Sequence, residues 1–143
     1  MHVDVTPGTC AAAVQLRLGE EFMKKNMQGK WKLMNAWRPI KPVYRDPLAV
    51  ADASTIPPED LVTVYRVFPD GRTEERYMLK TGKKEHDWYY APAQQPEELL
   101  LFNQYSSQDR TTADRVPHAA FHVPGTENNV PRESLEVRAI VCY

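Results

Sequence analysis

The chain has 143 residues, enough for one domain with a sizeable core. With 42% apolar residues, 18 basic and 19 acidic side chains and a net charge of -1, it has the make-up of a globular protein and no general electrostatic pull toward nucleic acid or an anionic membrane. It contains no basic stripe with interleaved aromatics and no run approaching a membrane span, so neither a nucleic-acid nor a membrane partner is expected.

The chain opens HVDVTP. In an extended segment His2 and Asp4 share one face and Val3 takes the other. A helix is predicted from Thr9 to about Gln28, with Thr6 or Thr9 as its cap, Pro7 near its start and Gly29 as its stop. Val14, Leu18, Phe22 and Met27 form its apolar stripe. WKLMNAWRPI then predicts a strand with Trp31, Leu33, Asn35 and Trp37 on one face and Lys32, Met34, Ala36 and Arg38 on the other, until Pro39 and Pro42 break the pattern. Both faces mix apolar and polar residues, which suits a strand buried on one side and lining a pocket on the other.

A short strand, Leu48 to Ala51, precedes the turn TIPPED. Leu61 to Phe68 and Glu75 to Lys80 read as a hairpin, with Asp70-Gly71 as the turn signal. HDWYYAP reads as an aromatic strand, Glu98 to Tyr105 suits either a helix or a buried strand, and VPHAAFH reads as another strand. From Glu133 to Tyr143 the residues alternate, with Leu135, Val137, Ala139 and Val141 on an apolar face and Arg132, Ser134, Glu136 and Arg138 on the other. One N-terminal helix and six to eight short strands, with most of the 12 prolines between strands, predict a mainly β chain. The expected architecture is an antiparallel sandwich or jelly roll, a single domain over residues 1–143. Cys10 and Cys142 make no disulfide framework and no zinc pair, and no signal-peptide core is present, so a reducing, cytoplasmic setting is expected. The lysine pairs at 24–25 and 83–84 read as solvated surface.

The candidate chemistry rests on the four histidines, His2, His86, His118 and His122. A two-histidine, one-carboxylate iron site needs an imidazole besides His2 and Asp4, and His118, on a predicted strand, is the best choice. His86 and His122 read as hydrogen-bonded histidines without a metal role. Arg132 and Ser134 project to one side of the last strand, and a guanidinium fork beside a hydroxyl suits a carboxylate. Both triplets, HxD and RxS, are common by chance. Their order along the chain, with a strand-rich interval and a histidine between them, carries the signal.

The phrases HVDVTP, GKWKLMNAWRPIK, DPLAVADAS, HDWYYAP, ELLLFNQYSS, PHAAFHVP and PRESLEVRAIV span nearly the whole chain. In them the chain resembles the fungal family of Fe(II) and 2-oxoglutarate-dependent oxygenases that includes the gibberellin desaturase and the AsaB-type hydroxylase/desaturases, also described as cephem methoxylase-like. The resemblance implies a double-stranded β-helix fold, a small secondary metabolite as substrate, molecular oxygen, Fe(II), and 2-oxoglutarate as co-substrate. It implies iron ligands His2, Asp4 and His118, with Arg132 and Ser134, or alternatively Arg138, holding the co-substrate. Asn35 is expected beside the cofactor, and Arg38, Trp88 and Tyr89 are expected in the substrate pocket. Members usually carry a long segment before HxD, so the resemblance also implies an N-terminally truncated member with an incomplete jelly roll. Sheet edges left open by such a start would suit a homodimer. The other reading is a non-catalytic jelly-roll remnant that serves as a binding or interaction module.

Overall fold

In the computed structural model, residues 1–80, 86–108 and 114–143 are described, and Lys83 and Lys84 lie outside them. The chain runs β1 (His2–Val3), α1 (Pro7–Leu18), α2 (Glu20–Asn26), β2 (Trp31–Pro39), β3 (Leu48–Ala51), β4 (Leu61–Val67), β5 (Thr73–Leu79), β6 (Trp88–Tyr90), β7 (Leu100–Ser106), β8 (His118–Ala120) and β9 (Ser134–Cys142). The strands form a six-stranded sheet, in the order β4-β5-β1-β8-β3-β6, and a three-stranded sheet, β7-β2-β9. Every pairing is antiparallel.

The helical region differs from the expectation of one helix from Thr9 to Gln28: it is two helices broken at Gly19. Gly19 takes φ +85°, a left-handed conformation that glycine adopts without the Cβ clash that penalises other residues. It ends α1, with its N–H donated to Gln15 O, and begins α2. The second helix keeps Glu20 and Glu21 in its first turn and Lys24 and Lys25 in its last, charges that oppose the helix dipole at both ends. Thr6 stands at the start of α1, but its hydroxyl donates to Glu75 Oε2 on β5 (2.7 Å) instead of capping the helix. That bond ties α1 to the larger sheet.

Strand β2 follows the predicted alternation. Trp31, Leu33, Asn35 and Trp37 are buried, and Arg38 on the opposite face is exposed. Two clusters built on this face hold the chain together. Val5, Cys10, Val14, Trp31 and Leu33 pack α1 against the smaller sheet. Trp37, Val43, Leu48 and Phe102 pack the two sheets face to face. A third, Ala51, Ile56 and Leu79, takes in half-buried Leu61 and Trp88. The segment 98–105, open between helix and strand in sequence, is strand β7, which pairs along β2. Its register shifts between Leu33 and Met34, leaving Gln104 as the extra residue of a β-bulge.

Strand β9 lies at the edge of the smaller sheet, paired with β2 from Trp31↔Cys142 to Pro39↔Ser134. Its apolar face is the exposed one: Leu135 and Val137 are 57% and 61% exposed. The face carrying Glu136, Arg138 and half-buried Ile140 adjoins Asp4 and Asn35, which bond Arg138 and Glu136 respectively, although both of these side chains stay partly open to solvent.

Candidate metal centre

β1 is two residues long, yet it lies between β5 and β8 in the six-stranded sheet. His2 stands directly opposite His118 of β8, and directly opposed residues of an antiparallel pair project to the same side. The two imidazole rings meet with centroids 4.5 Å apart. Asp4, just past the strand, brings Oδ1 to 3.1 Å from His2 Nε2 and 3.8 Å from His118 Nε2. One ligand atom from each residue lies within 4.8 Å of the others. Bonds of about 2.1 Å from nitrogen to a metal would bring adjacent ligand atoms about 3 Å apart, so the cluster needs only small ring movements to close on an ion.

The orientation of each side chain has a visible cause. His118 Nδ1–H donates to Val116 O (3.3 Å), which leaves the Nε2 lone pair facing Asp4. Phe102 of the other sheet stacks on the same ring at 4.8 Å and helps keep it 4% exposed. The backbone N–H of Asp4 is held by Gln104 Oε1 (2.8 Å), whose Nε2 donates to Asn103 O and Val116 O. Asp4 Oδ2, the oxygen turned away from the imidazoles, accepts Asn35 Nδ2 (2.8 Å) and Arg138 Nη2 (3.0 Å). The carboxylate is therefore pinned through one oxygen and free to ligate through the other.

The electrostatics favour the forms that bind cations. Burial alone would raise the Asp4 carboxyl, but hydrogen bonds from His2 and Asn35, the charge of Arg138 and, in the acid range where Asp4 titrates, that of protonated His118 hold it well below the usual carboxylate range. Burial pushes His118 down, against the pull of Asp4, so it stays a neutral imidazole near neutral pH. Metal ligation requires both states: an ionised carboxylate and an unprotonated imidazole. Glu136 is raised, first by burial and then by the negative charge of Asp4. It accepts a second hydrogen bond from Asn35 Nδ2 (3.1 Å). Asn35 Oδ1 has no protein partner among the described residues although it is buried, an open acceptor beside the cluster for a water or hydroxyl donor.

The remaining predicted residues are spread more widely. Asn35 lies at the cluster, but its donors are engaged by carboxylates. Arg138, the alternative considered for the co-substrate, is an ion-pair partner of Asp4 through Nη2. Ser134 opens β9, about 13 Å along the strand from Arg138, and Arg132 lies two residues before it. Arg132 donates to Asp46 O (2.9 Å) and lies over the Trp37 ring. With one hydrogen bond assigned to it, the guanidinium has donors left for a carboxylate. Arg38 is exposed on the face of β2 opposite Asn35. Tyr89 is exposed on β6, and Trp88 packs in the third cluster; no contact among the described residues joins either to the His–Asp–His group. His86 and His122 bond Asp60 and Glu127. Sequence reasoning missed Gln104, although a glutamine inside the apolar run LLLFNQY is a signal of a buried polar role.

A two-sheet, mainly β chain with a partly buried two-histidine, one-carboxylate cluster at the centre of its larger sheet is the arrangement expected of a non-haem metal oxidoreductase. A protein-family profile described as an oxidoreductase/YMDC permease-like domain matches residues 1–142. The chain is 53% identical over 145 residues to the alpha-ketoglutarate-dependent dioxygenase phiK of a fungal species, covering 100% of this chain and 52% of that protein. It is 38% identical over 130 residues to the hydroxylase/desaturase asaB of Aspergillus flavus, covering 82% of this chain and 57% of that one. Among solved structures it matches the iron and alpha-ketoglutarate-dependent endoperoxidase NvfI with a TM-score of 0.86 at 30% identity, over 99% of this chain and 52% of that one. The chain belongs to the fungal hydroxylase/desaturase family of Fe(II)/2-oxoglutarate dioxygenases. It spans about half the length of the curated relatives it matches. Among the described residues no helix is long and apolar enough to cross a membrane.

Proposed function

We propose that this chain acts as a non-haem Fe(II)/2-oxoglutarate-dependent oxygenase, a hydroxylase or desaturase of a small secondary metabolite, on a single domain of double-stranded β-helix type. The observation that supports this most directly is the gathering of His2, Asp4 and His118, with one ligand atom of each within 4.8 Å of the others. In this reading those three side chains hold the ion and Arg132 with Ser134 holds the far carboxylate of 2-oxoglutarate. When bound, the ferrous ion and 2-oxoglutarate supply the oxidation that removes hydrogen from a substrate carbon. The chain's own residues do the rest. Gln104, Asn35 and Arg138 fix the Asp4 carboxylate so that one oxygen faces the imidazoles. The Val116 carbonyl keeps the proton of His118 on Nδ1, and Phe102 excludes water from one side of the ring.

The test is an anaerobic titration with Fe(II), then 2-oxoglutarate, followed by the weak visible charge-transfer band and, on admitting oxygen, by succinate formation. The band is expected in the parent chain and absent in His2→Ala and His118→Ala. A band of full intensity in either variant removes that residue from the ligand set, and its absence from the parent chain ends the proposal.

A further inference from the structure

A cavity of about 440 Å³ lies between α1, the start of β5 and the inner face of β9, within the range of small-molecule pockets. It borders the candidate metal centre on the Asp4 side: Asp4 and Arg138 are part of its wall, whereas His2 and His118 are not. Elsewhere the wall is largely apolar, with Val5, Ala13, Val14, Leu33 and Ile140. The residues first expected in the substrate pocket, Arg38, Trp88 and Tyr89, take no part in it. Building on the oxygenase reading above, we infer that this cavity is the substrate site, and that it takes a low-polarity, uncharged small molecule whose carbonyl or hydroxyl oxygen is held by Arg138.

Three observations set that chemistry. The cavity is lined by three acidic side chains, Asp4, Glu74 and Glu75, and three basic ones, Arg17, Arg72 and Arg138, so its wall carries no net charge to select an ion. Several of these are already satisfied within the chain: Arg72 by Asp70, Glu75 by Thr6 and Asp4 by Arg138. Arg138 is 41% exposed and spends Nη2 on Asp4, which leaves donors for a ligand; a guanidinium has no acceptor, so the matching ligand group is an acceptor oxygen. The one thiol of the wall, Cys10, is pushed up to about 12 by burial, against the charge of Arg138, and takes no part as a nucleophile. A ligand oxygen on Arg138 would lie beside Asp4 Oδ2, the carboxylate oxygen that this guanidinium already holds. The same arginine thus orients both the ligand carboxylate of the metal and the substrate.

The test uses the full chain and three naphthalenes of similar shape: 2-acetylnaphthalene (a neutral acceptor), 2-ethylnaphthalene (no acceptor) and 2-naphthoate (an anion). Binding is followed by the methyl NMR shifts of Ala12, Ala13 and Ile140. With Mn(II) present, it is also followed by paramagnetic broadening of the probe protons, which decays steeply with distance from the ion. The ketone is expected to shift these methyls and to bind about tenfold more tightly than the hydrocarbon, the scale of one hydrogen bond to a charged donor. The ketone should also bind more tightly than the anion and be broadened only when Mn(II) is bound. Arg138→Met should bring the ketone and the hydrocarbon to equal affinity. Ala13→Trp, which fills the cavity, should abolish both readouts, while Val137→Ser on the exposed outer face of β9 should change neither. Methyl shifts elsewhere, a ketone no tighter than the hydrocarbon, or a preference for naphthoate would overturn the inference. If Mn(II) fails to bind while the methyl shifts stand, the metal reading falls and the cavity survives; if Mn(II) binds and the probe is not broadened, the cavity is not the substrate site.

Discussion

Gln104 ties strand β7 to Asp4, the acidic residue of the candidate metal centre, and replacing it isolates that connection. Gln104→Leu keeps nearly the same volume at a position only 1% exposed, so little apolar burial is lost. What disappears is the acceptor for the Asp4 backbone N–H and the donor to two carbonyls. Both carbonyls keep another donor: Asn103 O receives Val116 N, and Val116 O receives His118 Nδ1. The cost therefore concentrates in one buried N–H left without an acceptor, plus the net loss of weaker bonds, about 2–3 kcal/mol in all. For a chain of this size that is a fall of about 6–12 °C in Tm. Because β1 is only two residues long, Asp4 relies on that bond for its position, and Co(II) affinity should fall about 10–100-fold. Circular dichroism melts and calorimetric Co(II) titration measure the two quantities. A Tm within 1 °C of the parent together with unchanged Co(II) affinity would refute the assigned role of Gln104.

Other perturbations separate local from tertiary causes. Gly19→Ala places a Cβ in a left-handed residue with no atom nearby to clash, so the backbone conformation alone should cost about 1 kcal/mol. Gly8→Ala inside α1, where the nearest atom to the new Cβ is 3.9 Å away, should be neutral to stabilising by about 0.5–1 kcal/mol, and urea melts measure both glycine variants. The folded Asp4 carboxyl sits below its ordinary value of 3.8, so its contribution to metal-free stability is full above that pH and is lost as pH falls toward the folded value. Urea melts should show a steeper acid loss for the parent than for Asp4→Asn, and parallel curves below pH 4 would contradict the assignment. Iodoacetamide at pH 8 should label exposed Cys142 and leave Cys10 unmodified, as peptide mapping would reveal, because burial keeps the Cys10 thiol protonated.

Much of the secondary structure was legible because it depends on neighbours in sequence. The Asp70-Gly71 hairpin, strand β3 and the two faces of β2 follow from turn chemistry and a period of two, and all stand where the residues put them. Gly19 was equally local, yet the helical spacing around it masked the break: a stripe of apolar residues persists across a glycine whether or not the backbone turns there. On β9 the alternation was plain, but a period of two distinguishes two faces without saying which is covered. The Asp4 carboxylate and Asn35, far away in sequence, bond Arg138 and Glu136 on one face, and Leu135 and Val137 on the other face stay exposed.

The sequence by itself determined most of the strands, the histidines and carboxylate available to a metal, and through its phrases the family. Tertiary structure alone decided that β1 pairs with β8, which sets His2 against His118, and that a bulge in β7 turns Gln104 onto the backbone of Asp4. The physical reason is that local propensity acts over a few residues, whereas a coordination site needs atoms from distant segments to converge within a few ångströms. Only the register of paired strands and the packing between sheets can fix such a convergence.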